Sequence, residues 1–184
     1  MYMKFYKKGF TLVEILIVVA LVAILASFAV PNLNNWIRDT KVNEATNQFT
    51  QLLTYSRGIS ISTGIRQKIQ YENSIDGIKI TTSKEDIITG VTGALDCSGS
   101  WVDEEETILQ GDEKVKILSC VSEDSCNDEK AEICFFPYGG ASKSEIHIVD
   151  SNNLTNAKKK IIIYKATGFI EVFNWKNNQW EEYK

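Results

Sequence analysis

Glu14 is the residue whose type and place most demand a chemical reason. It is the single charge in the 21-residue run 10–30, FTLVEILIVVALVAILASFAV. On insertion scales an acidic side chain within a bilayer costs roughly 2.5–3.5 kcal/mol, so an anchor that only anchors gains nothing from it. Elsewhere, residues for reactive chemistry are sparse. The one histidine, His147, lies between Ile146 and Ile148, the setting of a structural or surface residue more than of a general base. There is no Ser-His-Asp set, phosphate loop or zinc motif. The acid clusters Asp103-Glu104-Glu105-Glu106 and 124–129 lack calcium-loop spacing and read as solvated loops. The reading is therefore of a chain that is not an enzyme, with no catalytic residue, metal or cofactor.

Four cysteines, Cys97, Cys120, Cys126 and Cys134, contain no Cys-x-x-Cys pair, which argues against zinc. An even count in an exported domain suggests two disulfides. Three connectivities are open; one would set Cys120 opposite Cys134 across a hairpin centred near Asn127.

The charge is asymmetric. The formal net charge is -4, yet the first nine residues carry Lys4, Lys7 and Lys8 and no acid, leaving 17 Lys and Arg against 24 Asp and Glu beyond them. An acidic body argues against a general nucleic-acid surface. The trio Lys158-Lys159-Lys160 is a local basic patch whose plain reading is a solvated strand start.

These residues need elements to place them. A helix of about 20 apolar residues spans the ~30 Å hydrocarbon core, and Lys7 and Lys8 before the run set its N-terminal end on the cytoplasmic side. A secretory signal is one alternative, with Ser27-Phe28-Ala29 as a small-residue cut site, but the apolar stretch exceeds the usual 7–15 residues. A plain anchor is another, and it leaves Glu14 unexplained.

The run Lys7-Lys8-Gly9-Phe10-Thr11-Leu12-Val13-Glu14 resembles the prepilin peptidase site of type IV pilins and type II secretion pseudopilins. The resemblance implies a cut after Gly9, N-methylation of the new terminal residue Phe10, and an assembly role for Glu14, the fifth mature residue. Pro31 falls where many pilins carry a helix-kinking proline. The implied organisation is a leader (1–9), a transmembrane and filament-core helix (10–30), and a globular domain outside the cytoplasm (31–184). The implied partners are prepilin peptidase, other pilin or pseudopilin subunits, the inner-membrane assembly platform and membrane lipid. The implied location is a single pass through the inner membrane, then a filament.

Beyond Pro31 the pattern stays helical. Leu33, Ile37, Ala45, Phe49, Leu52, Leu53 and Ile59 recur at three- and four-residue steps, and Gly64 is a stop after about Ser62. From Ile65 the period becomes two. Strands are predicted over 65–72, 75–82, 114–121, 131–137, 145–149, 159–165 and 168–175, with a tight turn at Asn177-Asn178 and a variable loop over 89–112. The fold class is α+β, a long N-terminal helix packed on an antiparallel sheet.

Two stretches, Tyr55–Gly64 (YSRGISISTG) and Ile133–Ser142 (ICFFPYGGAS), together with Thr167-Gly168-Phe169-Ile170, resemble the GspH/FimT minor pseudopilins. That resemblance implies a minor subunit that helps start assembly. DNA-binding members carry an Arg-rich motif near the C-terminal Gly; here Phe169, Ile170 and Glu171 follow Gly168, and no Arg occurs beyond Arg66. DNA is therefore an unlikely partner, although a pilus-associated module for DNA uptake or adhesion is the alternative function. The aromatic tail (Phe169, Phe173, Trp175, Trp180, Tyr183) reads as sheet core and edge.

Overall fold

A computed structural model describes residues 9–87, 96–109, 115–122, 125–127, 131–142, 145–150, 158–176 and 179–183; the side chains of 28–32, 35, 121, 122, 125 and 127 are outside that description. The chain forms two compact units, one ending at Ile37 and the other beginning at Arg38.

Helix α1 runs Leu12–Thr63. Its backbone stays helical across Pro31. Proline lacks one donor and crowds the preceding turn, and here that cost does not end the helix. Gly64, at φ +69°, closes it: its N–H bonds the Ser60 carbonyl at 3.1 Å, the left-handed cap that glycine adopts without a Cβ clash.

In the second unit the apolar stripe of α1 enters the core. Val42, Ala45, Phe49 and Leu53 are buried, spaced so that they share one helix face. Phe49 meets Tyr71 edge-on, with ring centroids 5.8 Å apart. Leu33 and Ile37, predicted for the same stripe, are exposed.

Ten strands follow among the described residues: β1 Gln67–Ser74, β2 Gly77–Glu85, β3 Trp101–Leu109, β4 Val115–Ser122, β5 Ser125–Asn127, β6 Ala131–Phe135, β7 Glu145–Asp150, β8 Lys158–Ile163, β9 Ile170–Lys176 and β10 Gln179–Glu182. They make two antiparallel sheets, ordered β3-β2-β1-β6 and β10-β9-β8-β7-β4-β5. This is the expected α+β class. Asn73 joins the sheets by copying a strand's pairing: its amide nitrogen donates to the Ile117 carbonyl at 2.8 Å, and its oxygen accepts the Ile117 N–H at 2.9 Å.

Two expectations need correction. Within 89–112, read as a loop, Trp101–Leu109 is strand β3. The acid run hid it, because a strand's signal is alternation and Asp103 to Glu106 show none. Lys79 and Lys84 on β2 make it tenable by pairing with Glu106 at 2.9 Å and Glu104 at 2.8 Å. The cysteines pair Cys97–Cys134 and Cys120–Cys126, not Cys120–Cys134. Cys120 and Cys134 lie on strands of different sheets, whereas Cys120 and Cys126 are opposed across the β4–β5 ladder. The predicted turn at Asn177-Asn178 lies outside the described residues, although Lys176 and Gln179 pair on either side of it.

The two disulfides close very different lengths of chain, 37 and 6 residues. Loop-closure entropy predicts a loss of about 4 kcal/mol for Cys97→Ser with Cys134→Ser, and about 2 kcal/mol for Cys120→Ser with Cys126→Ser. Urea denaturation of the oxidised full chain in detergent checks this; equal losses would contradict it.

Candidate functional site

The leader junction sits at the start of α1. Gly9, Phe10 and Thr11 are non-helical and exposed, and the helix begins at Leu12. Glu14 lies in its first turn. Its carboxylate accepts the Thr11 N–H at 3.4 Å, while the Glu14 N–H donates to the Thr11 hydroxyl at 3.2 Å. This reciprocal pair is a capping box, in which Thr and Glu three residues apart satisfy two of the donors a helix start leaves open. Thr11-Leu12-Val13-Glu14 spells that motif, a signal that the sequence reading passed over. Glu14 thus has a local role within one chain. An acid here also suits the positive end of the helix dipole.

Around Glu14 the helix has no polar face. Every large apolar residue from Leu12 to Leu25 is at least half exposed. A helix that is apolar all round needs lipid or other helices around it. Among the described residues, no helix is long and apolar enough to cross a membrane.

A second locus brings together the stretches that carried the domain resemblance. Arg57, near the end of α1, donates through Nε to the Gly139 carbonyl at 3.3 Å and through Nη2 to the Thr167 carbonyl at 2.8 Å. One turn on, Ser60 donates to the Phe135 carbonyl at 3.1 Å. The turn after β6 and the β8–β9 turn are thereby tied to one helix end. Gly168 makes the approach possible: its φ is +61°, and a Cβ there would lie 2.1 Å from the Gly139 oxygen. Left-handed backbone and a clash with a fixed carbonyl both oppose a side chain, so Gly168→Ala is expected to cost about 2–4 kcal/mol. A denaturation midpoint equal to the parent's would refute that.

His147 is buried beneath Trp180, with ring centroids 5.2 Å apart; its Nε2 lies 2.8 Å from Glu145 Oε1 and its Nδ1 3.8 Å from Cys126 Sγ. Burial holds its pKa below the ordinary value, against the pull of Glu145. Cys120, Cys126 and His147 are close enough to share an ion, but both sulfurs are committed to a disulfide. Lys160, read as part of a solvated strand start, is instead buried, with its ammonium 4.6 Å from the Trp180 ring centroid.

An apolar helix with exposed side chains and a capped acid in its first turn is a surface for lipid or other helices to cover. A family match falls on the same segment. Residues 4–30 match the prokaryotic N-terminal methylation motif. The chain is 39% identical over 94 residues to the type IV major fimbrial protein FimA of Dichelobacter nodosus, covering 51% of this chain and 49% of that one. The FimA of strain VCS1703A is 38% identical over 94 residues, 51% and 48% of the two chains, and a fimbrial protein of the same species is 36% identical over 94 residues, 51% and 49%. No solved structure matches. In these matches the chain is similar to type IV pilin precursors, and it spans about half the length of the curated relatives it matches.

Proposed function

We propose that this chain is a pilin or pseudopilin subunit that prepilin peptidase cuts between Gly9 and Phe10, after which Phe10 is N-methylated and the subunit enters a filament. The observation that carries this is the register of Gly9, Phe10 and Glu14 at the start of a helix whose apolar residues are exposed on every side. Before assembly, the run 10–30 sits in the inner membrane. During assembly, the Glu14 carboxylate of one subunit meets the Phe10 amine of its neighbour, and in low dielectric that pairing offsets the desolvation each charge would suffer alone. The other partners are further subunits, the inner-membrane platform and lipid. Pro31 is the place where the helix bends if filament packing asks for it.

The role is structural, not catalytic. A minor, initiating subunit of GspH/FimT type is supported by the Arg57 corner, where three stretches resembling that group converge. The named relatives are major fimbrial proteins, so the abundance of the chain in filaments separates the two roles. Mass spectrometry of the mature N-terminus tests the processing: an N-methylated Phe10 is expected, and an intact leader or a cut elsewhere overturns the proposal.

A further inference from the structure

One cluster of side chains in the second unit has a use that opens only when a covalent bond is broken. Cys120 and Cys126 are opposed across the β4–β5 ladder, and His147 comes from β7, which pairs with β4 along its other edge. His147 pairs with Leu118, two residues before Cys120, so strand alternation sets Cys120 and His147 on one face of the sheet. The two sulfurs and a ring nitrogen all lie within 4.8 Å of one another. Thiolates with an imidazole are the ligand set that zinc takes.

The histidine is already arranged as a ligand. It is 5% exposed, and burial favours the neutral ring, which holds a single N–H. Glu145 Oε1, 2.8 Å from Nε2, fixes that N–H on Nε2 and leaves Nδ1 a lone pair. The lone pair faces Cys126 Sγ at 3.8 Å. A disulfide sulfur has no proton to offer it, whereas a metal ion would take it. A carboxylate on the far nitrogen is the usual companion of a ligating histidine, because it orients the ring and raises the basicity of the other nitrogen. The spacing also suits zinc. Bonds of ~2.3 Å to sulfur and ~2.0–2.1 Å to nitrogen, at a tetrahedral angle, put those two atoms about 3.6 Å apart.

Of the two disulfides, this one gains less from closing its loop, 6 residues against 37. Cys120 is buried and Cys126 is the more open of the pair, which gives an attacking thiolate a sulfur to reach. We propose that a dithiol reduces Cys120–Cys126, and that the two thiolates and His147 Nδ1 then bind one zinc ion. In the first step the disulfide takes two electrons and two protons from the dithiol, which leaves as its own disulfide. In the second step zinc displaces the two thiol protons, and water completes the four ligands. The same place then holds either a disulfide or a metal, according to the thiols around it, and this does not depend on how the N-terminus is processed.

The test uses the full chain in detergent, reduced by graded amounts of a dithiol that is then removed without air. Alkylation mapped by mass spectrometry should find Cys120 and Cys126 open at less dithiol than Cys97 and Cys134, and zinc should then protect both. Cobalt(II) should give the thiolate charge-transfer absorption of a tetrahedral site, which one equivalent of zinc removes. Glu145→Gln keeps a neutral acceptor and should weaken zinc about tenfold, the effect of losing a charged outer partner. His147→Gln removes a ligand and should weaken it further. Earlier opening of Cys97–Cys134, no protection by zinc, or equal zinc binding by the oxidised chain would overturn the proposal. Full zinc affinity in either variant would do the same, since it would leave the thiolates acting without the histidine.

Discussion

Glu14→Gln is expected to leave the start of α1 intact and to abolish entry into filaments. Glutamine keeps the reach and the acceptor of glutamate, so it retains the bond to the Thr11 N–H that Glu14 makes at 3.4 Å. It cannot carry the charge that would face a neighbour's Phe10 amine. Removing one partner of a desolvated ion pair costs about 3–5 kcal/mol, which is more than a hundredfold in an assembly equilibrium. Glu14→Leu removes both the cap and the charge. Filaments isolated from cells expressing each processed variant decide the matter. Loss in both variants supports charge pairing. Normal incorporation of Gln with failure of Leu would mean that the helix cap alone is required.

Glu85→Ala is expected to be among the most damaging substitutions in the body, at about 3–5 kcal/mol. Arg66 and Glu85 are each 3% exposed and meet at 2.6 Å. Arg66 also donates to the carbonyls of Asp96 and Ser98, each at 3.0 Å, and its guanidinium lies 5.2 Å from the Trp101 ring centroid. Deleting the carboxylate leaves a buried guanidinium short of its anion, beside the two carbonyls that hold Cys97 in place for Cys134. Chemical denaturation of the full chain should show the loss. Replacing both residues by apolar ones should not restore the parent stability, because the Asp96 and Ser98 carbonyls would then lose their donor. A neutral double variant would refute this account.

The helix, its end at Gly64 and the strand regions after Ile65 could be read from the sequence, because each follows from a local pattern: a 3.6-residue stripe, a left-handed glycine, alternation. The stripe succeeded where the helix enters the core, at Ala45, Phe49 and Leu53, and failed at Leu33 and Ile37, which are exposed. What could not be read was tertiary. Periodicity does not say that β4 and β6 part into separate sheets, and so it could not choose the cysteine pairing. Strand β3 was hidden because its acids take their partners from β2, across a register that only the fold supplies. At the candidate site, Gly9, Phe10 and Glu14 were legible as a motif, whereas the cap made by Thr11 and Glu14 was present in the sequence and passed over.

The acids of β3 have a consequence for crowding. Among the described residues β3 is the outer strand of its sheet, and the unpaired edge of an outer strand is a template on which another chain could add a strand. Asp103 to Glu106 are all exposed along that edge. A second copy approaching through its own β3 would bring carboxylate against carboxylate, and that repulsion discourages the sheets from fusing.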